Sequence, residues 1–241
     1  MNIAAHHAML AGGGAPTAKS YIQDGLVAMW DGLENDGWGV FNPNKGNNWY
    51  DLVGNKRISG FGWNNTCGWF DKSFCPLNRV SGFSANLVAV DLSHGMTVEC
   101  CAPGQFRRNQ IITCGVMSQW GVERAAYYGC SYNDTAYRVR KDGNESLRLT
   151  QFLNNNTKNT QTLFIHSDGN MSGLIGGSSD YAWEVSASFS QTYINPYFIS
   201  TTGSTSVGAP TFYNARYYNR ILTLAEVAHN YAIDKARFGL T

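Results

Sequence analysis

Charge is what this chain of 241 residues has least of: Asp, Glu, Lys and Arg make up 15% of it, against roughly 25% in ordinary soluble domains. The little there is cancels, 18 Lys and Arg against 17 Asp and Glu. That balance excludes broad binding to nucleic acid, which needs clustered basic side chains over phosphates. It equally excludes an acidic disordered tail or a polybasic patch for a membrane surface. Long apolar runs are missing too, and none approaches the roughly 20 residues that cross a bilayer. The mildly apolar start has no positive stretch: Lys19 is the first basic residue and His6-His7 breaks the run. No export signal is therefore expected, and without export the sequons at Asn64, Asn133, Asn144, Asn155 and Asn170 carry no glycan. The six cysteines (Cys67, Cys75, Cys100, Cys101, Cys114, Cys130) show neither C-x-x-C nor zinc-ligand spacing. Buried free thiols are the expectation, with a Cys67–Cys75 staple left open.

What the chain does have is amide, glycine and aromatic: 23 Asn, 26 Gly, 7 Trp, 13 Tyr and 12 Phe. This is a composition of turns and strands. Residues 1–19 read as an N-terminal arm ending in Gly12-Gly13-Gly14-Ala15-Pro16, and residues 20–241 as one domain. Gly25-Leu26-Val27-Ala28-Met29-Trp30 is a continuous apolar run of the kind found at an inner sheet position. Residues 31–75 lack a regular period and read as long loops broken by short strands. Strands are expected at 96–100, 110–114, 136–140, 162–165, 171–175, 192–200 and 211–218. In the last of these Phe212, Asn214, Arg216 and Tyr218 share one face. Asp168-Gly169 marks a hairpin turn before the strand at 171.

One helix is well specified. Thr223 and Glu226 form a capping box, with Leu222 and Val227 as its hydrophobic staple. Leu224, Val227, Ala228 and Tyr231 make the expected apolar stripe, Lys235 and Arg237 suit the C-terminal dipole, and Gly239 stops the helix. Many short strands without a βαβ rhythm, closed by one helix, predict an all-β antiparallel sandwich of two sheets.

Two segments carry a family resemblance. Gly25-Leu26-Val27-Ala28-Met29-Trp30-Asp31-Gly32, followed by Trp49-Tyr50-Asp51-Leu52-Val53-Gly54-Asn55, resembles the opening strand and turn of laminin-G-like domains in the concanavalin A-like lectin/glucanase superfamily. Phe212–Asn219 followed by Arg220-Ile221-Leu222-Thr223-Leu224-Ala225-Glu226-Val227 is similar to that family's closing strand and helix start. The resemblance implies a jelly roll with ligand loops at its rim. Relatives with this opening and close occur in phage and prophage structural genes of gut bacteria. It also implies that calcium is possible at the sheet rim. Asp31, Asp36 and Asp51 lie near the opening motifs, but none sits in a D-x-D-x-D loop. No metal ligand and no cofactor are assigned.

Hydrolases of that superfamily carry E-x-D-x-(x)-E on one strand, which places three carboxyls on one sheet face. The nearest approach here, Glu34-Asn35-Asp36-Gly37-Trp38-Gly39, lacks the second glutamate, and Glu99 and Glu184 stand alone. No G-x-S-x-G, P-loop, H-E-x-x-H or G-x-G-x-x-G is present. The expectation is a domain without catalysis. The strongest functional lead is aromatic: Trp38, Trp49, Trp63 and Trp69, with amides including Asn64, crowd into about thirty residues. Indole stacks on sugar rings while amides reach hydroxyls, so a glycan surface is the expectation here. The competing reading is that large loops need a small core of their own and tryptophan supplies it. The sequence thus points to a carbohydrate-binding or adhesion domain of a phage virion, in a head fibre, decoration or tail adhesin. Its partners would be glycans, with other virion proteins or sister subunits held through the N-terminal arm. The alternatives are a pure assembly module and a glycoside hydrolase of the same superfold.

Overall fold

The computed structural model describes residues 14–42, 48–54, 57–59, 68–70, 73–75, 88–89, 92–103, 112–118, 121–130, 137–141, 144–149, 158–168, 170–185, 193–200 and 213–240. In chain order the strands are β1 (Leu26–Asp31), β2 (Asn48–Tyr50), β3 (Arg57–Ser59), β4 (Gly68–Phe70), β5 (Ser73–Cys75), β6 (Val88–Ala89), β7 (Met96–Pro103) and β8 (Ile112–Ser118). They continue as β9 (Gly121–Cys130), β10 (Tyr137–Lys141), β11 (Asn144–Leu149), β12 (Lys158–Ile165), β13 (Met171–Ile175), β14 (Ser178–Val185), β15 (Tyr193–Ser200) and β16 (Asn214–Tyr218). Helix α1 (Leu224–Phe238) follows. One antiparallel sheet runs β1-β16-β7-β12-β13-β14 and another β11-β10-β9-β8-β15-β6. They approach each other where β7 nears β8 and β12 nears β9. Each strand expected beyond residue 95 has a counterpart, with ends moved by a few residues, and short ribbons β2/β3 and β4/β5 break the 31–75 stretch. Among the described residues no helix is long and apolar enough to cross a membrane.

The apolar run at 25–30 takes a different place from the expected one. It forms β1 at the edge of the first sheet, paired with β16 alone. Its apolar character comes from burial on both faces rather than from two flanking strands. Ala28 and Trp30 point one way, where Trp30 meets Tyr217 edge-on at 5.9 Å. Met29 points the other way, into a cluster with Ala18, Tyr21, Leu52 and Ile233. The unpaired side of the strand is covered by the Asp51 turn. Met29 N–H donates to Asp51 Oδ1 at 2.7 Å, and Leu52 N–H donates to the Met29 carbonyl at 2.8 Å. An edge whose N–H and C=O are consumed in this way offers no template for a further strand.

Helix α1 begins and ends where expected. Thr223 and Glu226 make the reciprocal cap, and Gly239 takes the left-handed conformation, φ 63°, as its N–H bonds the Lys235 carbonyl. Its buried face differs from the apolar stripe, however. Leu224 is 60% exposed and Ala228 is exposed, while Val227, Asn230, Ile233, Asp234, Arg237 and Phe238 are buried. The helix has turned to bring polar residues onto the sheet, because ionic partners on that sheet await them.

The sheet face beneath α1 explains the choice. Alternation places Thr97, Glu99 and Cys101 of β7, Thr160, Thr162 and Phe164 of β12, and Asn214, Arg216 and Tyr218 of β16 on one side. All are buried. The opposite face, with Val98, Cys100, Leu163, Ile165, Ala215 and Tyr217, is nearly all apolar. The adjacent Cys100 and Cys101 therefore face opposite ways as buried free thiols. Cys67, and with it the question of a bridge to Cys75, lies outside the described residues.

Candidate functional site

Between α1 and the sheet lies a sealed layer of charge. Arg216 Nη1 and Nη2 donate to Asp234 Oδ1 and Oδ2 at 2.7 and 2.8 Å, and its Nε donates to Glu99 Oε2 at 3.0 Å. Arg237 Nη1 and Nη2 grip Asp31 at 2.7 and 2.9 Å, and Nη2 also reaches Glu34 Oε1 at 2.9 Å. Tyr21 lies between the two guanidiniums, 4.1 Å from Arg216 and 5.4 Å from Arg237, and its hydroxyl donates to Asp234 at 2.7 Å. Asn230 Nδ2 completes the layer with bonds to Glu99 Oε2 and the Tyr218 hydroxyl.

Burial sets the titration of these groups. It pushes the Glu99 carboxyl up, and Arg216 only partly offsets it. Asp31 is raised in the same way against Arg237. At Asp234 burial again acts upward, but the charge and bidentate bonds of Arg216 overcome it and hold the carboxyl below its usual range. Bidentate, charge-assisted bonds are the geometry in which a carboxylate tolerates such burial. Glu99, Asp234 and Asp31 have no solvent exposure. These carboxylates are structural ion-pair partners with no route to a substrate.

Two of the three aspartates near the opening motifs are consumed by the fold, one in this layer and one in the turn that covers β1. Asp31 is held by Arg237, and Asp51 accepts from the N–H groups of Met29, Val53 and Gly54. Their oxygens face N–H donors, which does not fit a calcium ligand set. Asp36 accepts from Asn42 Nδ2 at 3.0 Å. Among the described residues no group of three or more His, Cys, Asp or Glu is placed to hold a metal.

The aromatic residues separate. Trp49 is 1% exposed and its indole N–H donates to the Asp31 carbonyl at 3.1 Å, so it is core and presents no face to a ligand. Trp69 lies in β4, paired with Phe74 of β5. Trp63 and Asn64 lie outside the described residues. Trp38 remains at the surface, half-buried against the cluster of Tyr21, Met29 and Leu52.

The loop that carries Trp38 is fixed by its own hydrogen bonds. Asn35 Oδ1 accepts from Asn42 N–H at 2.8 Å while its Nδ2 donates to the Asn42 carbonyl at 2.9 Å. Asp36 N–H reaches the Val40 carbonyl, and Val40 N–H the Gly37 carbonyl. Glu34 Oε2 accepts from Gly39 N–H at 2.7 Å, and Oε1 accepts from Ala18 N–H. A single buried carboxylate thus ties the 17–20 segment to the aromatic loop. Beside Trp38 the loop displays Val40 and Phe41, 47% and 43% exposed. Lys19, next to Ala18, sets its Nζ 5.8 Å from the Trp38 ring centroid. Sequence reasoning passed over Val40, Phe41 and Lys19, and met Glu34 only as a fragment of a hydrolase motif. The dense E-N-D-G-W-G run was the available signal for a hydrogen-bonded loop.

The fold and this loop define a β-rich domain with an ordered, aromatic surface loop. No protein-family model matches the chain and no curated protein is similar to it in sequence. Solved structures do share its fold. The sialidase of Trypanosoma rangeli is similar at TM-score 0.60 and 14% identity, over 94% of this chain and 34% of the sialidase. The same sialidase in complex with sialic acid matches at TM-score 0.58 and 15% identity, over 94% and 34%. The receptor-binding domain of botulinum neurotoxin type G is similar at 0.55 and 11%, over 88% of this chain and 52% of that one. The chain spans about a third of the length of the sialidases it matches. These likenesses correct one expectation. This chain was expected to be without catalysis, and that expectation falls because the solved structures sharing its fold include a sialidase, an enzyme.

Proposed function

We propose that this chain is a carbohydrate-binding domain with a jelly-roll sandwich of the laminin-G-like kind. Its ordered loop, residues 34–42, forms the contact surface. The observation that carries this reading is Trp38. Its loop is fixed by hydrogen bonds, its ring is partly buried with the remainder at the surface, and it stands beside exposed Val40 and Phe41. A pre-positioned aromatic beside backbone and amide groups is the arrangement that binds sugars with little ordering cost. The sharing of fold with a sialidase seen with sialic acid supports a sugar as the class of ligand, and the likeness to a toxin receptor-binding domain supports a binding role. The opening and closing motifs support a place in a phage virion, reached by lysis, with adhesion to surface glycans as the role.

A glycan array with the purified chain tests this reading, with Trp38→Ala as the control. Binding that is lost in the variant while the fold persists is the expected result. Assay of the same preparation for sialic acid release from sialyllactose reports on hydrolysis. A second reading, an assembly module, draws on exposed Val40 and Phe41, since apolar side chains of this kind also seat protein partners. Silence across the array with tight binding to a virion protein selects it.

A further inference from the structure

Resting on the carbohydrate reading, we propose that Lys19 and Trp38 together form a subsite for a carboxylate-bearing sugar. Both residues are brought there by Glu34. Its two carboxylate oxygens accept from the backbone N–H groups of Ala18 and Gly39, the immediate neighbours of Lys19 and Trp38. The carboxylate itself is buried and compensated by Arg237, so it does not neutralise Lys19. Lys19 is exposed and has no ion-pair partner among the described residues; its ammonium lies against the Trp38 ring. The Trp38 indole N–H likewise has no protein hydrogen-bond partner among them.

This pairing discriminates between ligands. A cation near an exposed indole gains a modest attraction that any sugar stacking on the ring must replace. A neutral sugar displaces the ammonium and offers it only uncharged hydroxyl oxygens, no better than the water it already has. An acidic sugar offers its carboxylate, which the flexible four-carbon stem of lysine reaches by swinging off the ring. Lysine therefore acts as a selective cover: it opposes neutral ligands and rewards anionic ones. Asp36, the loop's other carboxyl, is partly buried and accepts from Asn42 Nδ2, and it makes no ion pair with Lys19.

The test is calorimetric titration of the full chain with tetragalacturonate and with its fully methyl-esterified counterpart, which keeps the sugar backbone and removes the charge. Wild type should prefer the acid, and the preference should shrink between 50 mM and 500 mM salt, as screening of an exposed pair requires (a Debye length of about 10 Å at 0.1 M). Lys19→Ala should weaken acid binding by about two- to fivefold, the range of an exposed ion pair, and leave ester binding equal or tighter. Lys19→Arg should keep the preference. Lys19 is exposed, so these variants leave the fold intact. Equal affinity of wild type for acid and ester, no binding of tetragalacturonate, or an equal loss of both ligands in Lys19→Ala overturns the subsite. Neutral glycans bound without an acid preference overturn only the subsite, whereas a wild-type chain that binds no glycan on the array removes the carbohydrate reading as well.

Discussion

Replacing Arg216 with methionine keeps side-chain volume and removes one positive charge from a place with no solvent. Three charge-assisted bonds disappear, two to Asp234 and one to Glu99, together with the stacking on Tyr21. The larger effect is on what stays behind. Two carboxylates remain buried at zero exposure with only neutral side-chain donors, Asn230 and Thr162 at Glu99 and Tyr21, Thr160 and Asn214 at Asp234. Breaking a buried pair by removing one partner costs about 3–5 kcal/mol. For a domain of this length that corresponds to a fall in Tm of roughly 6–20 °C, out of a total stability on the order of 5–15 kcal/mol. Urea and thermal denaturation followed by circular dichroism measure it. The control is the triple variant Arg216→Met, Glu99→Gln, Asp234→Asn, which removes the stranded charges and should recover much of the loss. A single variant that loses less than about 1 kcal/mol, the range of a surface pair, refutes the reasoning. So does a triple variant less stable than the single one.

Two further outcomes follow from local geometry. Gly95 has φ +69°, and a Cβ there would lie 2.8 Å from Ile221 Cγ1 and 2.9 Å from the Ile165 carbonyl oxygen. Gly95→Ala should cost at least about 2 kcal/mol, since the left-handed conformation alone penalises a Cβ by 1–2; a urea midpoint unchanged from wild type counts against it. Glu226, in the capping box and bonded to Arg220, has its carboxyl lowered to about 2, the Arg220 hydrogen bonds outweighing partial burial. A lowered carboxyl stabilises the fold above its unfolded value, 4.5, and that contribution fades as pH falls toward 2. Glu226→Gln should therefore be less stable than wild type at pH 6, modestly because the pair is partly exposed. The gap should close between pH 4.5 and 2; a gap constant across that range contradicts the assignment.

Local signals were readable in the sequence and long-range ones were not. The capping box, Gly239 and the hairpin after Asp168 depend on residues within a few positions of each other, and each appears in the fold. The alternation of Asn214, Arg216 and Tyr218 was legible as one face, but nothing local distinguishes a polar face in water from one beneath a helix. That distinction rests on Glu99 and Tyr21, 117 and 193 positions away from Arg216 and Asn214. For the same reason the helix stripe was misplaced: Leu224 and Ala228 satisfy the helical period, while Asp234 and Arg237 satisfy partners on the sheet. At the candidate site, tryptophan content drew attention to the stretch that holds the 34–42 loop. It could not separate Trp49, whose N–H is spent on the Asp31 carbonyl, from Trp38, which stands at the surface.

The sealed charge layer has a consequence for the order in which the domain comes into being. Asp31 finds Arg237 only 206 residues later, and Glu99 finds Arg216 and Asn230 after 117 and 131. During synthesis these early carboxylates emerge long before the groups that permit their burial, and until then water is their best partner. The β12–β13 hairpin, in which Ile165 pairs with Met171 only six positions on, can close early, but the sheet face that α1 covers cannot dry. Completion waits for the helix, as a late and collective step of high contact order. A nascent chain that holds its own carboxylates wet is also kept from premature collapse on the ribosome, so the charge that seals the finished domain delays the sealing until the last element is present.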